Sequence, residues 1–225
     1  MHIKRFLFTA LALFPLVGLA SAEQGCTESE YKGRTIQKCR DTGSPGGGSF
    51  SDSFTDPRDG QTYRTVQIGN QIWMAENLNY RTEGNNCYDD KPANCQKYGR
   101  LYTWEAAQNA CPSGWHLPST AEFDTLFTAV GGDDVAGKVL KSRSGWKSDG
   151  NGTDAYGFSA LPAGHRSYYD GDFSNAGNCA YFWSATTESD YAYSMHLYYS
   201  SNGAYLRCDN KYHGLSVRCL RDSRL

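Results

Sequence analysis

A mixed α+β fold follows from three features of this 225-residue chain. Two amphipathic helical segments come early, alternating strand segments crowd the last third, and eight cysteines are spread among them. Helices followed by a run of strands, without regular alternation, point to α+β and away from a parallel α/β sheet.

The first 22 residues read as an export signal. Lys4 and Arg5 give a positive start, Phe6 to Ala20 form an apolar run, and Ala20-Ser21-Ala22 is a small-residue cleavage pattern that sets the mature start at Glu23. The run falls short of the roughly 18 apolar residues that a spanning helix needs. Glu23-Gln24-Gly25, ahead of Cys26, is too polar for a lipid-attachment box. No transmembrane segment is expected in the mature chain, and its location is expected to be secreted, periplasmic or cell-surface. Without Lys4 and Arg5, the 22 basic residues fall to 20 against 24 acidic ones. That mild acidity, with no basic run, gives no reason to expect a nucleic-acid partner.

Residues 23–53 hold Cys26 and Cys39 in polar sequence, enough for one stapled hairpin, and then a Gly/Ser-rich linker over 42–53. Ordering such a linker costs backbone entropy and buries no apolar surface. The main domain is expected over 54–225.

That domain opens with a hairpin. Thr62 to Ile68 and Gln71 to Met74 flank Gly69-Asn70, a two-residue turn with glycine where a positive φ is needed. Val66 and Ile68 share a face with Arg64, which predicts only partial burial. A first helix is capped by Thr103, carries Trp104, Ala107 and Cys111 on one face, and stops before Pro112. The second starts at a capping box, Ser119-Thr120-Ala121-Glu122. Phe123, Leu126, Phe127 and Val130 make its core stripe, and Gly131-Gly132 end it. Later, Tyr191, Tyr193, Met195, Leu197 and Tyr199 alternate with Ala192, Ser194, His196, Tyr198 and Ser200, as in a half-buried strand. Leu215, Val217 and Cys219 repeat the pattern near the end.

An even cysteine count behind an export signal implies disulfides, although eight cysteines allow 105 connectivities. Metal binding is disfavoured, since no Cys-x-x-Cys pair occurs and no histidine stands at ligand spacing from a cysteine. No cofactor is expected. Cys111 with His116 does not suggest a nucleophilic pair, because Cys111 sits on a core face and His116 in a short strand. No Gly-x-Ser-x-Gly elbow is present. Asp149, Asn151 and Asp154 space oxygen side chains around glycines as calcium loops do, but lack the bidentate Glu and equally fit ordinary Asx turns. The tyrosines are the more suggestive feature. Tyr168 and Tyr169 lie in a polar loop, and Tyr198 is on the polar face of its strand, where a ring can stack on a sugar.

Several phrases resemble a known family. QIWMAENLNY (71–80), YGRLYTWEAAQNACPSGWHLPSTAEF (98–123), GTDAYGFSALPAGHR (152–166), YFWSAT (181–186) and SVRCLRD (216–222) are similar to the Fibrobacter succinogenes major paralogous domain, over about 56–222. The resemblance implies an extracytoplasmic protein and a C-type-lectin-like fold, two helices packed on a small, mostly antiparallel sheet with long loops. It further implies disulfides Cys111–Cys219 and Cys179–Cys208, leaving Cys87 with Cys95 and Cys26 with Cys39. The sugar motifs of calcium-dependent lectins, Glu-Pro-Asn or Gln-Pro-Asp and Trp-Asn-Asp, are missing. A non-catalytic binding or adhesion module is therefore expected, for plant cell-wall polysaccharide, with Tyr168, Tyr169 and Tyr198 as contacts. The alternatives are a structural or protein-interaction domain that meets a cell-surface protein, and a hydrolase with dispersed carboxylates.

Overall fold

The computed structural model describes the backbone of residues 26–31 and 34–39, and residues 52–223 in full. The export signal, most of the linker and the side chains of Cys26 and Cys39 lie outside the described residues. The chain divides into two units, Met1–Gly47 and Gly48–Leu225. In the first, β1 (Cys26–Tyr31) and β2 (Arg34–Cys39) form an antiparallel hairpin whose register sets Cys26 opposite Cys39.

The second unit begins with β3 (Ser53–Thr55), β4 (Thr62–Ile68) and β5 (Gln71–Met74). The β4–β5 hairpin turns at Gly69, whose φ of 59° is the left-handed value that glycine tolerates. It is more buried than its alternation suggests, because Trp73 stacks on Phe123 at 5.5 Å and takes the hairpin into the core. After β6 (Asn85–Asn86) and a 3-10 turn at Tyr88–Asp90 come α1 (Pro92–Tyr98), β7 (Leu101–Tyr102), α2 (Trp104–Gln108) and β8 (Trp115–His116). Next are α3 (Thr120–Ala129) and α4 (Asp133–Leu140). The expected caps form: Thr103 Oγ1 accepts from Ala106 N, and Ser119 and Glu122 make the reciprocal capping box. The last third holds β9 (His165–Arg166), β10 (Phe173–Ser174), β11 (Cys179–Glu188), β12 (Tyr191–Tyr198), β13 (Ala204–Asn210), β14 (Leu215–Ser216) and β15 (Leu220–Arg221).

The α+β class stands, but the two-helix, single-sheet C-type-lectin-like arrangement is overturned. Among the described residues the second unit has four α-helices and three sheets: six strands in the order β13-β12-β11-β14-β7-β6, five in the order β3-β4-β5-β15-β8, and the pair β10-β9. Two short helices escape the periodicity argument. Helix α1 starts at a proline and buries only Cys95 and Tyr98, while α4 begins straight after the Gly131-Gly132 stop with Asp133 and Asp134 against its positive end. The chain's last stretch then passes from β14 in one sheet to β15 in the other, dividing the strands.

One core cluster packs α3 and α4 onto Phe182, Met195, Leu197 and Ala204 of the six-stranded sheet. Helix α4 can approach the β12–β13 turn because residue 137 is glycine. A Cβ there would meet Gly203 O at 2.1 Å. A second cluster holds Tyr63, Met74, Leu78, Tyr102 and Trp183. Their polar tips are matched, as when Trp183 Nε1 donates to Tyr102 O at 2.7 Å.

Disulfides Cys87–Cys95 and Cys111–Cys219 are present as expected. Cys179–Cys208 is not, and both residues are free thiols among the described residues. Register explains this. Cys179 pairs with Tyr198 on one side of β12, whereas Cys208 pairs with Tyr193 on the other. Five residues along a strand is roughly 17 Å, with two strand spacings to cross as well, beyond any disulfide.

Candidate functional site

The polar face of β12 supplies the floor of the site. Ser194, His196 and Tyr198 alternate there with core-facing Met195 and Leu197, as the strand period requires. Pairing brings Tyr181 of β11 opposite His196 on one side, and Tyr205 of β13 opposite it on the other. This face was expected to be open. Instead the segments carrying His165 and His213 cover its middle, and His196 is only 6% exposed. The cover is held by paired backbone bonds, Arg166 N to Gly214 O and Gly214 N to Arg166 O, both 2.9 Å.

Eight aromatic rings now form an unbroken run. Tyr169 lies on Tyr168 with centroids 3.8 Å apart, and Tyr168 meets His213 edge-on at 4.9 Å. His213 meets His165 at 5.5 Å, His165 meets Tyr181 at 5.4 Å, and Tyr181 meets His196 at 4.7 Å. His196 is 6.0 Å from Tyr198, which reaches Tyr205 at 5.9 Å. Both ends are exposed, Tyr169 at 81% and Tyr205 at 38%. Between them is a cavity of about 120 Å³ lined by His165, Tyr181, His196, Tyr198, Asp209, His213 and Leu215.

The cavity's polar atoms are mostly ordered. His196 Nε2 lies 2.6 Å from Asp209 Oδ2, and Nδ1 lies 2.9 Å from the Tyr198 hydroxyl. Burial works against the Asp209 carboxylate, but hydrogen bonds from His196 and Ser194 hold it below its ordinary range. In the neutral imidazole, Nε2–H then donates to Asp209 and Nδ1 accepts from Tyr198, which fixes the phenol's direction. Burial, and then the neighbouring His213, lower the pKa of His165, so its ring is neutral at pH 7. His165 Nδ1 has no hydrogen-bond partner among the described residues.

Ser194, His196 and Asp209 do not make a nucleophilic triad. Ser194 and Asp209 both meet Nε2, whereas a relay needs hydroxyl and carboxylate on opposite ring nitrogens. Tyr198 does stand on the opposite nitrogen, but burial raises its pKa and keeps it a phenol. What the arrangement offers is ring faces and oriented hydroxyls.

Of the residues expected from sequence, Tyr198 lines the cavity, Tyr168 reaches it through His213, and Tyr169 forms the outer lip. His165, Tyr181, His196, Tyr205, Asp209 and His213 were missed. His196 and Tyr205 could have been found from their strand faces, while His213 carries no local signal. The acidic loop lies elsewhere, and Asn151 and Asp154 use their oxygens internally. Asn151 Oδ1 accepts from Trp146 N at 3.1 Å, and Asp154 accepts from Ser159 N at 2.7 Å and Ser159 Oγ at 2.6 Å. Among the described residues, no group of three His, Cys, Asp or Glu is placed to hold a metal, and no helix is long and apolar enough to cross a membrane.

A family model, the Fibrobacter succinogenes major domain, matches residues 66–221. No curated protein and no solved structure matches the chain.

Proposed function

We propose that this chain, which belongs to the Fibrobacter succinogenes major domain family, is a non-catalytic extracytoplasmic binding or adhesion module for plant cell-wall polysaccharide. The unbroken aromatic run from Tyr169 to Tyr205 carries this reading. A ring stacks on the flat apolar face of a sugar while nearby polar groups take its hydroxyls, and the exposed end rings Tyr169 and Tyr205 present such faces to solvent while the covered rings between them hold them in place. Exposure supports it too. Six of the seven exposed large hydrophobic side chains among the described residues are tyrosines, Val135 being the exception, so their surface is richer in amphipathic rings than in aliphatic side chains. The two disulfides among the described residues and the export-like start favour an oxidising location outside the cytoplasm.

The test is retention on insoluble cellulose and xylan, with soluble glucans as competitors and a glycan array to set specificity. Retention relieved by soluble glycan, and unchanged by a calcium chelator, is the expected result. No retention on any glycan would discard the reading and favour a structural or protein-interaction domain.

A further inference from the structure

The six-stranded sheet ends on β6, two residues long, and on β13, seven residues long. Strand β13 pairs continuously with β12 on its inner side. On its outer side, residues 205–209 make no backbone hydrogen bond among the described residues. Exposed edges are normally blunted by charged side chains, proline, a bulge or a covering segment. Residues 204–210 (AYLRCDN) contain no proline, the pairing register shows no bulge, and the two charges, Arg207 and Asp209, are of opposite sign.

The side chains on this edge are self-complementary. Arg207 is exposed and has no carboxylate within ion-pair distance among the described residues. Asp209 spends Oδ2 on both His196 and Ser194, while Oδ1 has no hydrogen-bond partner among the described residues. Cys208 between them is an exposed free thiol. Charge therefore reverses about residue 208. We propose that β13 is a homodimer interface, in which two copies pair antiparallel about a two-fold axis at Cys208, with each Arg207 opposite the partner's Asp209. Other centres fail on the same residues. A two-fold at 207 opposes two arginines, one at 209 opposes two aspartates, and one at 206 leaves Arg207 facing Tyr205. An isologous contact of this kind closes at two copies and joins the six-stranded sheets into one.

The same register brings the two Cys208 residues directly opposite each other. Facing residues of an antiparallel pair have Cα atoms about 4.5–5.5 Å apart, inside the roughly 4.4–6.8 Å of a disulfide. A small-molecule disulfide such as oxidised glutathione is the oxidant. One Cys208 thiolate attacks it, forming a mixed disulfide and releasing one thiol; the second Cys208 thiolate then displaces the other thiol. Two protein thiols are oxidised, one external disulfide is reduced, and the two protons leave with the released thiols. Partial desolvation and the Glu188 carboxylate 3.4 Å away push the Cys208 thiol up, which lowers its thiolate fraction and slows the exchange.

The purified full chain, sedimented over a wide concentration range with and without oxidised glutathione, tests this. The expected result is a concentration-dependent dimer, plus a Cys208–Cys208 linked peptide on non-reducing mapping. Cys208→Ser should abolish the link and leave a dimer about tenfold weaker. Arg207→Glu, which sets acid against acid, should weaken association at least tenfold and slow the cross-link equally, with an unchanged circular-dichroism spectrum. A monomer at every concentration, a cross-link indifferent to Arg207→Glu, or a link through Cys179 would each overturn the proposal.

Discussion

Arg218 donates from Nη2 to Asn77 Oδ1 at 2.6 Å, with Arg218 0% and Asn77 5% exposed. Its Nη1 donates to Met74 O at 3.1 Å and to Phe158 O, and the guanidinium lies 4.4 Å from the Phe158 ring and 5.4 Å from Phe182. No carboxylate is in ion-pair contact with it among the described residues. Burial lowers its pKa, and the amide and carbonyl oxygens supply part of the compensation a buried charge needs, Nε having no hydrogen-bond partner among the described residues. Asn77 and Met74, Phe158, Phe182 and Arg218 belong to four different phrases of the family signature. Much of that signature therefore encodes how the core closes.

Arg218→Ala should be among the most damaging single substitutions. It leaves buried acceptors on Asn77, Met74 and Phe158 unpaired at once and opens a cavity, which together costs about 3–5 kcal/mol. Arg218→Lys should recover little, because one ammonium cannot reproduce the planar fork. Urea denaturation with a two-state fit gives the numbers. A loss below about 1 kcal/mol for Arg218→Ala would show that these bonds contribute little.

The two described disulfides should differ in weight. Cys111–Cys219 closes 108 residues and Cys87–Cys95 only 8. In the chain-entropy model these correspond to about 4–5 and roughly 2–3 kcal/mol. Paired Cys→Ala variants, compared by denaturant midpoint, should show the larger drop for Cys111 with Cys219.

Legibility in the sequence followed local chemistry. Gly69-Asn70 and the Ser119–Glu122 capping box state their geometry within four residues, and the corresponding hairpin and helix appear as read. Helix α4 was hidden, because Gly137 breaks its pattern for a contact with Gly203 that no local signal announces. Cys179 and Cys208 were mispaired for a related reason: strand register, set by the whole β11–β13 meander, places them at opposite ends of β12. At the site, tyrosines in polar sequence were visible as such, while His165 and His213 come together only through the pairing of residue 166 with residue 214.

His116 makes stability depend on pH. Its Nδ1 lies 2.6 Å from Asp222 and its Nε2 2.8 Å from Glu122. Burial opposes the charged ring, but hydrogen bonds to both carboxylates raise its pKa above the ordinary 6.5. Burial likewise opposes ionised Glu122, yet Ser119 and His116 hold it below 4.5. A raised imidazole pKa stabilises fully below its unfolded value and is lost as pH rises through the folded one. A lowered carboxyl stabilises above its unfolded value and is lost as pH falls through the folded one. The clamp is therefore strongest between about pH 4.5 and 6.5. Solvent screening keeps its contribution small. His116→Gln should flatten the fall in stability from pH 6 to 8, measured by denaturant midpoint at each pH.

Tyr198→Phe isolates the hydroxyl that His196 orients. The ring stays, so stacking survives, and a hydrogen bond to ligand is lost, which weakens binding by about 0.5–1.5 kcal/mol. Calorimetry against the best glycan from the array checks this, with an unchanged circular-dichroism spectrum as the control for fold; the melting temperature should fall, because His196 Nδ1 loses its partner.

The central claim is that the aromatic run is the sugar site, and titration calorimetry of Tyr168→Ala/Tyr169→Ala beside the parent chain tests it most directly. Tyr169 is 81% exposed and Tyr168 half-buried at the lip, so the double variant should keep the fold. The account predicts at least tenfold weaker glycan affinity, a loss of about 1.4 kcal/mol or more, with unfolding unchanged. Equal affinity in the two proteins would contradict it.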